Sequence, residues 1–253
     1  MNRYFIATIA VAMAIANAFG QKSEGFKATT AEVQTAGWAQ DWWGQRHVEK
    51  MMALKEQKEI DLLFIGDSIT HGFEEIGKAV WEKHYAPRNA FNIGFSGDRT
   101  ENVLWRLENG AITGISPKLA VIMIGTNNTG HRKEEPIHTA AGIGAILGEL
   151  REQLPNTKLL LLAIFPRDPK PDGAMRKLND ATNMLIEKFA DNENVFYLDI
   201  GQTFLTDDGE LTKEIMPDFL HPNEKGYELW AEAMEAKIKE LMAVGEDASS
   251  KTE

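Results

Sequence analysis

Four short stretches of this sequence put polar side chains where they could do chemistry. In "GDSIT", an apolar run ends and Ser68 follows Gly66 and Asp67, at the point where a strand gives way to a helix. A serine there has two readings: its oxygen caps the new helix by accepting a backbone N–H, or its hydroxyl projects into a crevice as a nucleophile. "NIGFSGDRT" sets Gly94 and Gly97 around a turn, where the missing Cβ lets backbone N–H groups approach a ligand; a tight turn alone would need the same glycines. "IGTNN" ends another apolar run with Asn127 and Asn128. The pair suits an Asx-type turn, and an Asn127 carboxamide N–H aimed into a crevice would stabilise negative charge developing on an oxygen. In "MPDFLHPNEKGY", Asp218 precedes His221 by three residues, the spacing that puts two side chains on the same side of one helical turn. A carboxylate so placed holds the imidazole in the tautomer whose other nitrogen takes a proton from a hydroxyl. Alone, the pair reads as a surface histidine beside an acid.

The elements that must position these residues follow from the apolar runs at 61–65, 90–93, 119–124, 158–164 and 195–200. Each is nearly continuous in hydrophobicity, as strands buried on both faces of a parallel sheet are. Helices are predicted from Thr100 to Asn109, Ile137 to Leu154, Met175 to Ala190 and Asn223 to Met242. A further helix lies within "GWAQDWWGQRHVEKMMALKEQ", with Trp42, Trp43, Val48, Met51, Met52 and Leu54 burying part of its circumference. Strand and helix alternate, so a three-layer α/β domain with a parallel sheet of about five strands is expected. Ligand sites in such sheets lie beyond the carboxyl ends of the strands, which is where Ser68, Gly97 and Asn127 fall. No G-x-S-x-G elbow surrounds Ser68, which argues against the α/β-hydrolase fold.

Composition narrows the function classes. The 253 residues carry 27 Lys+Arg against 38 Asp+Glu, a formal net charge of -11, without a clustered basic stripe, so nucleic acid is not an expected partner. Residues 1–20 combine Arg3, an apolar run too short for a comfortable membrane span, and small residues at Ala16, Ala18 and Gly20. That is a signal-peptide pattern, cleaved near Gly20/Gln21 or Ala18/Phe19, with an uncleaved anchor as the other reading. The expected protein is exported, periplasmic or secreted, and has no membrane span after cleavage. There are no cysteines, which removes disulfides, thiol nucleophiles and thiolate metal sites. The expected organisation is a signal peptide at 1–20, a polar segment and helix at 21–58, a catalytic domain at 59–243 and a polar tail at 244–253.

Taken together, "GDS" (66–68), the turn with Gly97, "GTNN" (125–128) and "DFLH" (218–221) occur in the order and approximate spacing of the four blocks of the SGNH hydrolases, or GDSL esterases. Beyond the blocks, "GDRTENVLWRLENG", "PKLAVIMIGTNN" and "FPRDPKPDG" resemble the catalytic subunits of platelet-activating factor acetylhydrolase type Ib, over roughly residues 42–241. The resemblance implies a flavodoxin-like sheet, a Ser/Asp/His triad and no metal or other cofactor. It makes Ser68 the nucleophile, His221 the base and Asp218 the orienting carboxylate. The oxyanion hole it implies comprises the backbone N–H groups of Ser68 and Gly97 and the side chain of Asn127. Ser96 departs from the family, which has a glycine pair where this chain reads "SG".

Other candidates stand outside this set. His71 is expected on the first helical turn or at the rim, His131 and His138 lack a metal-ligand pattern, and Trp42, Trp43, Trp81 and Trp105 read as core. Arg167 either lines the substrate mouth or is a solvated loop charge. The expected function is an exported short-chain O-acetyl esterase acting on carbohydrate. The alternatives are a lipid acetylhydrolase or lysophospholipase, and a non-catalytic glycan-binding module whose mark would be loss of Ser, Asn or His from the blocks. A small-molecule or glycan ester is the expected partner, and no oligomeric state is implied.

Overall fold

The computed structural model describes residues 25–57 and 59–243. The signal-peptide pattern at 1–20 and the polar tail at 244–253 lie outside the described residues. Five strands, β1 (Leu62–Gly66), β2 (Ala90–Gly94), β3 (Leu119–Met123), β4 (Lys158–Leu162) and β5 (Val195–Leu198), form one parallel sheet in the order β2-β1-β3-β4-β5. The three-layer α/β architecture is as the apolar runs predict. Strand order reverses between β1 and its two neighbours, β2 and β3, so the crevice of the sheet opens beyond Gly66.

The period-2 geometry of a strand splits its residues between two cores. Leu63, Ile65, Ala120, Ile122, Leu159 and Leu161 pack under helices α4 (Thr100–Glu108), α6 (Pro136–Gln153) and α7 (Ala174–Ile186). Leu62, Phe64, Leu119, Val121, Leu160 and Leu162 pack under α3 (Lys78–His84) and α8 (Glu224–Ala243), with Phe73 and Trp230 at the centre. Both faces are therefore buried, which is why the runs show no polar alternation.

Three expectations need correction. The N-terminal helix, α1 (Trp43–Glu56), buries Trp43, His47 and Leu54, whereas Val48 and Met52 are more than half exposed and face away from the core. The short helices α3 and α5 (Thr126–Arg132) were not expected, because seven residues are too few to show a 3.6 period. The helix predicted to run through Ala190 ends at Ile186 and tightens into a 3₁₀ turn at Glu187–Phe189.

Residues 26–42 form no independent unit. They lie as a strap across the start of α4: Thr100 Oγ1 donates to the Ala28 carbonyl at 2.9 Å, Asn102 Nδ2 to the Glu32 carbonyl at 2.9 Å, and the Glu32 N–H to the Glu101 carbonyl at 3.1 Å.

Candidate active site

At the end of β1 the chain must turn sharply into α2 (Ser68–His71). Gly66 permits it: a Cβ there would lie 2.5 Å from the Met123 carbonyl oxygen and 2.1 Å from Thr70 Oγ1. The structure also resolves the two readings of Ser68. Asp67 is the cap, its Oδ1 accepting the Ile69 N–H at 3.0 Å, and Ser68 is the first helical residue. Its hydroxyl is thereby released to meet His221 Nε2 at 2.8 Å. Asp67 is fully buried, its Oδ2 has no partner among the described residues, and burial pushes its carboxyl up to about 7.

His221 comes from the loop before α8. The pair it forms with Asp218 does not lie on a helical turn, contrary to the spacing argument. Asp218 Oδ1 accepts the N–H groups of Leu220 at 3.1 Å and His221 at 2.8 Å, closing an Asx turn through Phe219 at φ 60°. The other oxygen, Oδ2, lies 2.6 Å from His221 Nδ1. A carboxylate only accepts, so Nδ1 carries the proton and Nε2 is left to accept from the Ser68 hydroxyl. Burial opposes the charge on Asp218, but the hydrogen bonds from the His221 N–H and ring outweigh it and hold the carboxyl below its ordinary value. Asn223 anchors the far end of the loop, its Oδ1 accepting the Gly226 N–H at 3.0 Å in the first turn of α8.

On the other side of Ser68, Gly97 sits at φ +76°, a conformation that favours glycine, at the turn after β2. Its carbonyl accepts from Gln34 Nε2 at 3.2 Å. The next residue, Asp98, is buried and accepts from Trp43 Nε1 at 2.6 Å and Arg106 Nε at 2.8 Å. Burial lifts its carboxyl to about 6, still ionised at neutral pH against Arg106. The Asp98 carbonyl accepts one N–H of the Asn127 side chain at 3.0 Å, which ties the β2 and β3 loops together and leaves that amide its second N–H. Asn127 and Asn128 open helix α5 rather than forming a free Asx turn; Asn128 Oδ1 instead accepts the Thr100 N–H at 3.1 Å.

The remaining candidates have definite places. Ser96, at the position that departs from the family pattern, has its Oγ 2.9 Å from His71 Nδ1. His71 ends α2 half-buried, and burial with nearby Arg46 pushes it down to about 4, so it is neutral at working pH. Arg167 is not a solvated loop charge: its Nη1 donates to the Thr126 carbonyl at 2.9 Å and to Thr126 Oγ1 at 3.2 Å, bracing α5. His131 Nδ1 lies 3.1 Å from Arg99 Nη1, and His138 stacks on Phe26 at 4.0 Å. Among the described residues no group of three or more His, Asp or Glu is arranged to hold a metal. Trp43, Trp81 and Trp105 pack among other rings, as expected of core. Trp42 is half-buried and packs against the same cluster as Trp105, with its ring also 6.3 Å from Trp38 and 6.2 Å from His71. Sequence reasoning missed Gln34 and Trp38, because residues 26–42 show no period and their partners lie some sixty residues on, and it missed Asp98, whose partners Trp43, Arg106 and Asn127 come from three separate stretches of the chain.

Comparison with known proteins places the chain among relatives. Residues 64–229 match a family model described as GDSL-like lipase/acylhydrolase. The chain is 31% identical over 202 residues to the Homo sapiens platelet-activating factor acetylhydrolase IB subunit alpha1, spanning 80% of this chain and 84% of that protein. It superposes on an acetylxylan esterase from Geobacillus stearothermophilus with a TM-score of 0.57 at 18% identity, over 74% of this chain and 96% of that one. A carbohydrate acetylesterase from Sinorhizobium meliloti gives a TM-score of 0.57 at 20% identity, over 72% and 100%. At these identities the two structures show likeness of fold.

Proposed function

Because the chain belongs to the GDSL-like lipase/acylhydrolase family and is a carboxylic ester hydrolase, we propose that it removes short acyl groups, acetyl above all, from carbohydrate through an acyl-serine intermediate. The observation that carries the mechanism is the unbroken chain from Ser68 Oγ through His221 to Asp218, at 2.8 and 2.6 Å. Ser68 Oγ attacks the ester carbonyl carbon as its proton passes to His221 Nε2, and Asp218 steadies the imidazolium. The carbonyl oxygen becomes an oxyanion, held by the N–H groups of Ser68 and Gly97 and the free N–H of Asn127. Collapse breaks the bond to the alcohol, which leaves with the proton from His221. Water then attacks the acyl-serine with His221 again as base, releasing the acid and free Ser68.

The preference for carbohydrate is supported by an open site, with the Asp218 and His221 side chains 55% and 43% exposed. It is also supported by the acetylesterase activities named for the two structures of like fold. The name of the human relative favours a second reading, a lipid acetylhydrolase. This proposal includes export, which rests on the residue pattern at 1–20; amino-terminal sequencing of the mature protein checks it. Turnover of p-nitrophenyl acetate, acetylated xylo-oligosaccharide and an acetylated choline phospholipid separates the substrates, with Ser68→Ala beside the wild type. The expected result is glycan deacetylation that Ser68→Ala abolishes. Full activity in that variant would remove Ser68 from the mechanism, and a preference for the phospholipid would decide for the second reading.

A further inference from the structure

The strap does more than cover α4. Trp38 is 52% exposed, and its ring lies directly on Gly97: a Cβ at Gly97 would fall 2.0 Å from the indole edge. The ring is fixed in place. The Trp38 carbonyl accepts Trp42 Nε1 at 3.0 Å, and Gln34 joins the Ala36 N–H, at 3.2 Å, to the Gly97 carbonyl. Trp42 stacks behind Trp38, and His131, one turn beyond Asn127 on α5, stands edge-on at 6.4 Å. An indole so held and left half open presents a rigid apolar face to a ligand instead of serving the core.

We propose that Trp38, backed by Trp42 and flanked by His131, is the platform on which the sugar ring of an O-acetylated glycan stacks while its acetyl ester enters the site at Ser68. The inference rests on the carbohydrate reading above. A pyranose has an apolar C–H face and a rim of hydroxyls, and the platform has a flat ring flanked by His131, whose Nδ1 lies 3.1 Å from the Arg99 guanidinium. A quaternary ammonium headgroup would also favour aromatic faces. Here, however, Arg99 lies 3.1 Å from His131 while pairing with Glu101 at 2.6 Å, and Arg167, from the loop after β4, lies against Gly130 next to His131 and makes no ion pair among the described residues. Arg167, the one of the two guanidinium groups without an ion-pair partner among the described residues, disfavours a positively charged headgroup, so the site fits a neutral or acidic sugar.

The test compares wild type, Trp38→Ala and Trp38→Phe on acetylated xylo-oligosaccharide and on p-nitrophenyl acetate. For Trp38→Ala the loss in kcat/KM is expected to be about tenfold greater on the oligosaccharide, carried by KM, with Trp38→Phe restoring most of it. Equal losses on the two substrates would make Trp38 a mere prop for the Gly97 turn and overturn the platform, as would glycan turnover indifferent to Trp38. If the wild type cleaves p-nitrophenyl acetate but no acetylated glycan, the carbohydrate reading fails and the platform with it. As a readout free of catalysis, Ser68→Ala protein should bind xylohexaose in calorimetry, and Ser68→Ala/Trp38→Ala should lose that binding.

Discussion

Asp67 separates Ser68 from the strand-ending glycine, and one of its carboxyl oxygens caps α2 while the other has no partner among the described residues. With the carboxyl raised by burial from 3.8 to about 7, the folded chain keeps a proton across that window that the unfolded chain has released. Stability from this group is therefore complete at low pH and is lost as pH rises through about 7. Asp67→Asn still accepts from Ile69 and does not ionise, so its Tm relative to wild type should climb over the same window. Melting curves at a series of pH values check this, and a constant offset would contradict it. Asn127 gives a kinetic prediction at the same scale. With one N–H on the Asp98 carbonyl and one free, Asn127→Ala should lower kcat on p-nitrophenyl acetate about 10²- to 10³-fold with little change in KM. The cap-or-nucleophile question was open in the sequence because a residue at a strand-to-helix turn suits both; in the structure Asp67 takes the cap and the Ser68 hydroxyl meets His221 instead.

The site depends on how closely β1 and β3 approach where α2 begins. Gly66→Ala would set a methyl group 2.5 Å from the Met123 carbonyl, a backbone atom that moves only if the strands part. The expected cost is about 1–3 kcal/mol of stability, with a fall in kcat as Ser68 shifts from His221; urea unfolding and esterase assays on one preparation measure both. The strands were legible as nearly continuous apolar runs of four or more residues, and the long helices by a period sustained over several turns. The short helices α3 and α5 were not, and the turn holding Asp218 and His221 was read as helical because spacing alone does not distinguish a helical turn from an Asx turn. In "DFLH" the geometry comes from Phe219 at φ 60° and two N–H groups on one carboxylate oxygen, both unreadable from residue types.

Across the whole molecule, the turn that carries Gly97 is locked to the core by the buried ion pair of Asp98 with Arg106, both wholly inaccessible. Arg106 also packs over the Phe95 ring at 4.1 Å and donates to the Ile93 carbonyl at 3.1 Å. Arg106→Met strands a buried carboxylate and should cost about 3–5 kcal/mol, whereas Asp98→Asn/Arg106→Met should recover much of that loss; chemical unfolding of the three proteins measures it. Among the described residues no helix is long and apolar enough to cross a membrane. The sequence by itself determined the layered α/β fold, because strand and helix periods are local properties of the chain. It also marked Ser68, Gly97, Asn127 and the Asp218/His221 pair, because each lies at the end of a run or in a short motif. Only the tertiary structure decided that Asp67 frees Ser68, that Asp98 holds Asn127 and that Trp38 rests on Gly97. Those contacts join residues from 29 to some 60 positions apart, or depend on which of two adjacent side chains takes a shared N–H, and no local pattern encodes them.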